Sequence, residues 1–388
     1  MLFERDIRRV DRPDVKIAST FTGGSFGRND ELADVRAATP DFYLQGVYTR
    51  SHTNDYADGN GAFVHSLYTR WNAAAAFGWT PDKETRLEAS FARSNGEAAY
   101  ADRSMDGFFD RNNVAVKFDR RFNWSVVRRI EVQSYYNYID HVMDNYTLRT
   151  PGTMFSASNP DRTTEGGRAA VTLAPAARTV VVVGTDVQHN VHTGRSAMNK
   201  SSADAATAAL VAAPRLEDMR FTQAGLFGEA TQALTARGRL VGGLRYDWHT
   251  ALDSRACVAA TMCPGNSPLK NATKGATDRK TLPSGFGRYE YDVEAGGFSG
   301  RLSLGVGHSE RSPDYWERIK QDPVTLNSAF LSTRPEKTTQ LDAGMVWRSN
   351  AWSGSVSGFY SSIGDYILIR WQPSPALTRN VDASSVGG

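Results

Sequence analysis

The sequence predicts an all-β protein, an antiparallel transmembrane β-barrel, and three observations support this fold class. The 388 residues are rich in glycine and aromatic side chains, with 34 Gly, 18 Phe, 15 Tyr and 8 Trp, while runs of strong helix formers are scarce. The mean hydropathy is −0.45, and no apolar run approaches the roughly 18 residues that a membrane-spanning helix needs. Several segments also alternate between two residue classes. A barrel combines these properties because only every second residue of its strands faces lipid.

The clearest alternation runs from Leu67 to Trp79 and from Arg239 to His249. Residues i and i+2 of a strand share a face. One face therefore carries Leu67, Thr69, Trp71, Ala73, Ala75, Phe77 and Trp79 in the first segment, and Leu240, Gly242, Leu244, Tyr246 and Trp248 in the second. Strands of about ten residues can cross a bilayer at a tilt, which favours a membrane barrel over a soluble sandwich. A propeller or solenoid would show a fixed internal period, and none is found.

The connections between the predicted strands alternate between short and long. Short turns are predicted at residues 80–83, 122–124, 174–176, 235–238 and 294–297, and longer polar segments at residues 51–61, 95–107, 145–160, 190–217, 253–280 and 311–335. In membrane barrels the short turns are periplasmic and the long loops extracellular. Counted from Val15, this pattern gives roughly 15 or 16 strands, and we expect a further strand to begin within residues 380–388.

Charge and local motifs argue against two other classes of function. The formal charge of +3 at pH 7 is small for this length and gives no reason to expect nucleic-acid binding. Residues 23–27 match the G-x-S-x-G nucleophile elbow, but residues 28–30 predict a hairpin tip where that motif needs a helix. Gly305 and Gly307 lack the third glycine of a dinucleotide-binding loop, since Glu310 occupies its position. We therefore expect no catalytic residue and no enzyme.

Three segments carry a resemblance to a known family. They are Gly243-Leu244-Arg245-Tyr246-Asp247, Arg311-Ser312-Pro313-Asp314-Tyr315-Trp316-Glu317, and Arg334-Pro335-Glu336-Lys337 with its continuation to Gly344. In sequence and in order they resemble the barrel region of TonB-dependent receptors. Asp342 stands where Glu is commoner in the family. A narrower resemblance, to the copper-receptor branch, rests on residues 70–73, on residues 100–107 and above all on Tyr138-Ile139-Asp140-His141-Val142-Met143-Asp144-Asn145.

The resemblance implies a barrel of about 22 strands, of which residues 1–388 would form part. A plug domain with an energy-coupling box is then expected before Met1, and the closing strands after Gly388. The resemblance also implies the outer membrane of a Gram-negative bacterium, coupling to the TonB–ExbB–ExbD complex through the plug, and contact with outer-membrane lipid and lipopolysaccharide. The implied function is import of copper, as a transported ligand rather than a catalytic cofactor.

His141 and Met143 are the strongest candidate metal ligands. Positions i and i+2 of a strand point to the same side, so an imidazole and a thioether could bind one ion. The alternation places Ile130, Val132, Tyr136 and Tyr138 outward, and hence His141 and Met143 toward the lumen. A soft thioether beside an imidazole favours copper, Cu(I) in particular. Copper receptors add a Cys-x-x-x-Met pair from the plug, and this chain contains no such pair. The alternative is that both residues are ordinary barrel lining, because His-x-Met is a short motif.

Secondary copper capture is expected from soft or imidazole side chains in the predicted extracellular loops. The candidates are Met105, His189, His192 and Met198, and plain solvated loop residues are the alternative for each. Cys257 and Cys263 lie close together in an otherwise cysteine-free chain. Such a pair predicts a disulfide in an oxidising compartment, with metal capture by the two cysteines and Met262 as the other interpretation.

Two further classes of function stay open. A siderophore or other metal-chelate receptor would keep the fold and use an aromatic and arginine-lined pocket, for which Arg103, Tyr315 and Trp316 are candidates. A passive pore or adhesin-like barrel would bind no ligand.

Overall fold

The computed structural model describes residues 9–123, 126–258, 269–371 and 375–388. Its strands are β1 (Asp14–Gly23), β2 (Asn29–Ala38), β3 (Phe42–Thr53), β4 (Tyr56–Ala57), β5 (Phe63–Val64), β6 (Tyr68–Trp79), β7 (Thr85–Ala98), β8 (Asp106–Arg121), β9 (Val127–Asp144), β10 (Phe155–Ala176), β11 (Thr179–Asn199), β12 (Leu216–Ala233), β13 (Gly238–Asp253), β14 (Thr277–Ala295), β15 (Phe298–Arg311), β16 (Glu336–Arg348), β17 (Ser353–Arg370) and β18 (Leu377–Gly387). Two short helices, α1 (Ala203–Ala212) and α2 (Tyr315–Arg318), lie between strands.

Sixteen of these strands form one antiparallel sheet, in which each strand pairs with its neighbours along the chain. The short strands β4 and β5 form a separate two-stranded sheet within a loop. The all-β fold class and the predicted count of 15 or 16 strands are confirmed. Among the described residues, no helix has both the length and the apolar character needed to cross a membrane.

The chain divides into two compact units. The first unit comprises Met1–Arg121, Glu131–Gly167 and Asn190–Asp218, and the second comprises Phe122–Ile130, Arg168–His189 and Met219–Gly388. In the first unit β1 to β3 and β6 to β8 form a continuous meander. In the second unit β12 to β18 do the same.

The predicted alternation separates the two faces of the strands. On β13, Leu244 and Trp248 are 77% and 46% exposed, whereas Val241 and Asp247 on the opposite side are 7% and 5% exposed. On β6 of the first unit, Phe77 and Trp79 are likewise exposed. We call the side with the exposed apolar residues the outward face and the other side the inner face. Apolar side chains that face out along whole strands are typical of a lipid-facing surface.

Several strands extend further than the sequence predicted. Strand β10 continues through Pro175 to Ala176, so the turn lies at residues 177–178 instead of 174–176. Strand β11 runs on to Asn199, which removes the first ten residues from the predicted loop 190–217. In β10 the proline suggested a turn, whereas polar residues dominate both faces of the β11 extension from Asn190 to Asn199. The period-2 signal depends on one apolar face, so it fades where both faces meet water.

The G-x-S-x-G segment forms a hairpin turn, as predicted. Gly24 N donates to Arg28 O at 2.9 Å, and Phe26 and Gly27 both adopt positive φ, at 58° and 68°. A Cβ on Gly27 would lie 2.5 Å from the Asn54 side chain, so the turn requires glycine there. Strand β2 follows directly, and no helix is present to build a nucleophile elbow.

Candidate metal-binding site on the inner face of β9

Strand β9 carries His141 and Met143 on its inner face. Val132 and Tyr136, of the opposite parity, are 45% and 42% exposed on the outward face. Asn137 has the same parity as His141 and accepts a 2.6 Å hydrogen bond from Arg111 Nε of β8. The two predicted ligands therefore share one face, as their spacing requires.

The His141 imidazole packs against a glycine on β8. A Cβ on Gly107 would lie 3.2 Å from His141 Nε2 and 3.1 Å from the Tyr100 ring, so any larger residue at position 107 would crowd the imidazole. His141 lies beyond the roughly 11 residues of β9 that a bilayer crossing needs, counted from the periplasmic end. Burial lowers the His141 pKa and nearby Arg103 lowers it further, while Asp140 opposes both. A low pKa favours the neutral imidazole, the form that binds metal ions.

A carboxylate fixes the chain just after Met143. Asp144 is 4% exposed and accepts hydrogen bonds from Tyr146 N at 3.0 Å, Thr147 N at 2.8 Å and Thr147 Oγ1 at 2.6 Å. These three bonds form a local turn that ends β9 one residue after the candidate thioether ligand.

Sequence reasoning missed a buried ionic cluster beside this site, formed by His65, Asp106 and Arg149. The Asp106 side chain is fully buried. Arg149 donates to it through Nε at 2.9 Å and Nη2 at 2.5 Å. His65 Nε2 lies 3.2 Å from Asp106 Oδ2, and Tyr100 N donates to Asp106 Oδ1 at 3.1 Å. We call this group the Asp106 cluster.

The Asp106 cluster fixes the segment that leads to Gly107. Arg149 also donates to the carbonyl oxygens of Arg103, at 2.6 Å, and Tyr100, at 2.9 Å, so one guanidinium clamps residues 100–106. The hydrogen bonds to Asp106 raise the Arg149 pKa, which keeps the clamp charged. Asp106 belongs to a segment that carried the narrower resemblance, but Arg149 lies in a loop where no periodic signal could identify it.

The other predicted metal ligands are dispersed. Met105 is partly exposed within the clamped segment. His189 and His192 lie on β11, not in a loop, and their odd spacing places them on opposite faces. His189 Nδ1 lies 2.9 Å from Thr222 Oγ1, and Met198 is 63% exposed near the end of β11. The expected loop location is wrong for these three β11 residues, while their role in copper capture stays a prediction. In the described ranges, no three His, Cys, Asp or Glu residues cluster as a metal site.

Of the two cysteines in the predicted disulfide, Cys257 lies within the described residues. Cys257 is disulfide-bonded and 2% exposed, and its backbone pairs with Lys270. Cys263 and Met262 lie outside the described residues, so the Cys257–Cys263 pairing stays a prediction.

The candidates for a chelate pocket each have an aromatic neighbour. In the first unit Arg103 Cζ lies 5.2 Å from the centre of the Tyr100 ring. In the second unit Tyr315 and Trp316 meet edge-on with their ring centres 5.3 Å apart. Lys320 Nζ lies 5.0 Å from the Trp316 ring and 4.2 Å from the Trp371 ring.

Residues 47–388 match the family described as "TonB dependent receptor-like, beta-barrel". The chain belongs to this family. The resemblance predicted from the sequence motifs is thereby confirmed, and the family is one of outer-membrane receptors and transporters rather than enzymes.

Solved structures of such receptors are similar along nearly the whole chain. A structure named "Copper transporter OprC" is 36% identical with a TM-score of 0.91, covering 99% of this chain and 60% of its own. The hemophore receptor HasR of Serratia marcescens, solved with its hemophore HasA and heme, has 15% identity and a TM-score of 0.66, with coverages of 97% and 60%. The iron transporter FrpB of Neisseria meningitidis has 14% identity and a TM-score of 0.68, with coverages of 97% and 59%. These last two show the fold alone.

The chain thus spans about 60% of the length of the solved receptors that it matches. No curated protein sequence matches it.

In this TonB-dependent receptor barrel, arginines of the family motifs form ion pairs. Arg311 donates to both Glu317 carboxylate oxygens at 2.9 Å and to Glu336 at 3.2 Å, which joins the second motif to the third. Arg245 of the first motif donates to Asp186 at 2.7 and 2.9 Å and also to Asp247. Planar guanidinium groups suit such bidentate pairing.

Proposed function

We propose that this chain is part of the barrel of an outer-membrane receptor that imports copper with energy from the TonB complex. The observation that carries the proposal is the pairing of His141 and Met143 on the inner face of β9. The 36% identity to a protein named as a copper transporter, over 99% of this chain, supports the same cargo.

The two side chains have different tasks in this proposal. The neutral His141 imidazole and the Met143 thioether each offer one uncharged donor, and the thioether favours Cu(I). Two ligands hold an ion weakly, so further ligands from a plug domain would complete the site. Met105 stands in the segment that the Asp106 cluster clamps beside His141 and is the candidate for an earlier capture step.

Energy coupling follows from the family. Coupling to TonB, ExbB and ExbD would take place through the plug, and movement of the plug would withdraw its ligands and release copper inward. His141 and Met143 would then remain as a weak two-ligand site, from which the ion leaves readily. No covalent step is involved.

Copper binding by the purified protein tests the proposal. The double variant His141→Ala/Met143→Ala should lower the affinity for Cu(I) by about tenfold or more, measured by competition with a chromogenic chelator. A matched control is His308→Ala/Met345→Ala, which removes one His and one Met from the outward face of β15 and β16. Equal affinities in the double variant and the wild type would refute the assignment of these ligands.

A metal-chelate receptor is the second candidate function. Lys320 lies between the exposed indole rings of Trp316 and Trp371, and an ammonium group flanked by aromatic rings suits an anionic, planar chelate. This candidate predicts that Trp316→Ala abolishes uptake of a ferric chelate while His141→Ala/Met143→Ala leaves it intact. The copper proposal predicts that His141→Ala/Met143→Ala abolishes copper uptake while Trp316→Ala leaves it intact.

A further inference from the structure

Three histidines form the same contact with a threonine of the next strand. His52 Nδ1 lies 2.9 Å from Thr69 Oγ1 in the first unit. In the second unit His189 Nδ1 lies 2.9 Å from Thr222 Oγ1, and His308 Nδ1 lies 2.9 Å from Thr339 Oγ1. In the tautomer whose Nδ1 accepts a hydrogen bond from the threonine hydroxyl, the ring carries its proton on Nε2, and Nε2–H points away from the threonine.

All three histidines lie on the outward face. His52 has the parity of Leu44 and Tyr48 on β3, which are 54% and 40% exposed. The exposed residues Val183 and Val187 precede His189 on the same face of β11, and Leu304 and Val306 precede His308 on β15. His189 and His308 therefore each follow a run of lipid-type side chains. On β3, Arg50 lies between Tyr48 and His52 on the same face and pairs with Glu31 at 3.4 Å.

The histidines occupy equivalent positions along their strands. His52, His189 and His308 each stand ten residues after the first residue of the strand, namely Phe42, Thr179 and Phe298. Ten residues rise roughly 33 Å along a strand, or about 23 Å across a bilayer at a tilt near 45°. The apolar band of outer-membrane barrels is about 25 Å tall, so each histidine reaches its upper edge.

A tryptophan at the equivalent position of another strand supports the placement at the upper edge of the apolar band. Trp248 stands ten residues after Gly238 on β13, faces outward and is 46% exposed. Tryptophan is enriched where the apolar band meets the headgroups. The three imidazoles thus lie at the depth of the headgroups of the outer leaflet.

The neighbours of His52 and His308 differ in charge. His52 is paired across the strands with Asn29, a neutral residue. His308 has one acidic neighbour, since its Nε2 lies 3.5 Å from Glu310 Oε1, beyond good hydrogen-bond length. Thr69, Thr222 and Thr339 hold the rings without competing for Nε2.

We infer that His52, His189 and His308 bind the phosphate groups of lipid A in the outer leaflet. The inference rests on the outer-membrane location in the proposed function. A phosphate is an acceptor with several oxygens and negative charge, and an imidazole donor held at headgroup depth matches it in chemistry and position. The Nδ1 contact to threonine would fix the ring orientation, as a second hydrogen bond does for histidines in metal sites.

Thermal unfolding of the purified protein in detergent tests the inference. We expect bisphosphorylated lipid A to raise the melting temperature above that in dephosphorylated lipid A. The triple variant His52→Phe/His189→Phe/His308→Phe should lose at least half of that difference, while the matching triple Gln variant, which keeps an N–H donor, should retain most of it. His192→Phe, on the other face of β11, is the matched control and should behave as the wild type.

Three results would overturn the inference. The first is a triple Phe variant that keeps the full difference in melting temperature between bisphosphorylated and dephosphorylated lipid A. The second is a wild type that shows no such difference. The third is equal stabilisation by inorganic phosphate, which would indicate a free-phosphate site. If the triple variant does not fold, His308→Phe alone should lose a measurable part of the melting-temperature difference. A single variant that keeps the whole difference also counts against lipid A binding. Copper affinity measured on the same samples distinguishes failure of this inference from failure of the proposed function. A protein that responds to lipid A but does not bind copper would refute the copper cargo and leave the lipid A inference intact.

Discussion

At the scale of single residues, Asp106 anchors the segment that lies beside the candidate site. Its carboxylate is fully buried, so its desolvation must be offset by the donors that surround it. Arg149 supplies two of these and also binds two backbone carbonyl oxygens. A buried charge that loses its partner keeps its desolvation cost. Substitution of Arg149 should therefore destabilise the Asp106 cluster.

The variant Arg149→Ala should loosen the segment from Tyr100 to Gly107. We expect its amide hydrogens to exchange at least about tenfold faster, measured by hydrogen–deuterium exchange with mass spectrometry. Arg149→Lys should restore only part of the protection, because an ammonium group cannot reproduce the bidentate contact. The control is Arg93→Ala, which removes a solvent-exposed pair with Asp110. Equal exchange in Arg149→Ala and the wild type would show that the clamp does not order the segment.

Part of this site follows from sequence and part does not. The shared face of His141 and Met143 follows from the two-residue period of β9. Arg149 reaches Asp106 across 43 positions of sequence, and His65 reaches it across 41. Loops have no periodicity, so contacts between two of them depend on how the strands below are paired, and a single sequence does not contain that information.

At the scale of elements, the sheet places aromatic rings over glycines of the neighbouring strand. Tyr43 of β3 pairs with Gly78 of β6, and a Cβ on Gly78 would lie 2.0 Å from the Tyr43 ring. The ring passes over the glycine, and the Tyr43 hydroxyl donates to Glu88 of β7. Phe286 covers Gly243 in the same way in the second unit. Such pairs join two or three strands with one side chain.

Gly78→Ala should therefore destabilise the first unit. The added methyl group must displace the Tyr43 ring and its hydrogen bond, and overpacking of this kind costs about 1–3 kcal/mol. Urea unfolding in detergent, followed by tyrosine and tryptophan fluorescence, would measure it. Gly46→Ala on β3 is the matched control, because a Cβ there meets no atom within 4 Å. Similar unfolding midpoints for the two variants would show that the ring does not depend on the glycine.

Element boundaries were predicted less well than the elements themselves. The hairpin at residues 24–28 and the turns after β6, β12 and β14 carry clear Gly, Pro or Asn signals, and the structure places turns there. Pro175 misled the prediction, because β10 contains it near its end. Helix α1 was missed because its ten alanine-rich residues lie within the segment 190–217, which was predicted as a loop. Helix α2 was missed because it is a single turn of four residues, stabilised by a capping box between Asp314 and Glu317.

At the scale of the whole molecule, the order of strands determines which backbone groups lack partners. Within the described residues, β1 pairs only with β2, and β18 pairs with β17 and, at its first residue Leu377, with Gln321. Every interior strand of the sheet has two neighbours. A free strand edge presents N–H and C=O groups that lipid cannot satisfy, and β1 also exposes Ile17 and Phe21 at 73% and 71%.

Protection of backbone amides against hydrogen exchange in the 388-residue chain should therefore fall from the middle of each unit toward these edges. We expect the alternate amides of β1 and β18 that point away from their partners to exchange within the shortest labelling times, except Thr378 N, which donates to Gln321 O. The amides of β13, paired on both sides with β12 and β14, should be the slowest. Opening of a doubly paired strand breaks twice as many hydrogen bonds, so its opening free energy is larger. Uniformly slow exchange in β1, β13 and β18 would contradict the strand order, or show that another chain covers both edges, and cross-linking at Ser19→Cys would distinguish these two explanations.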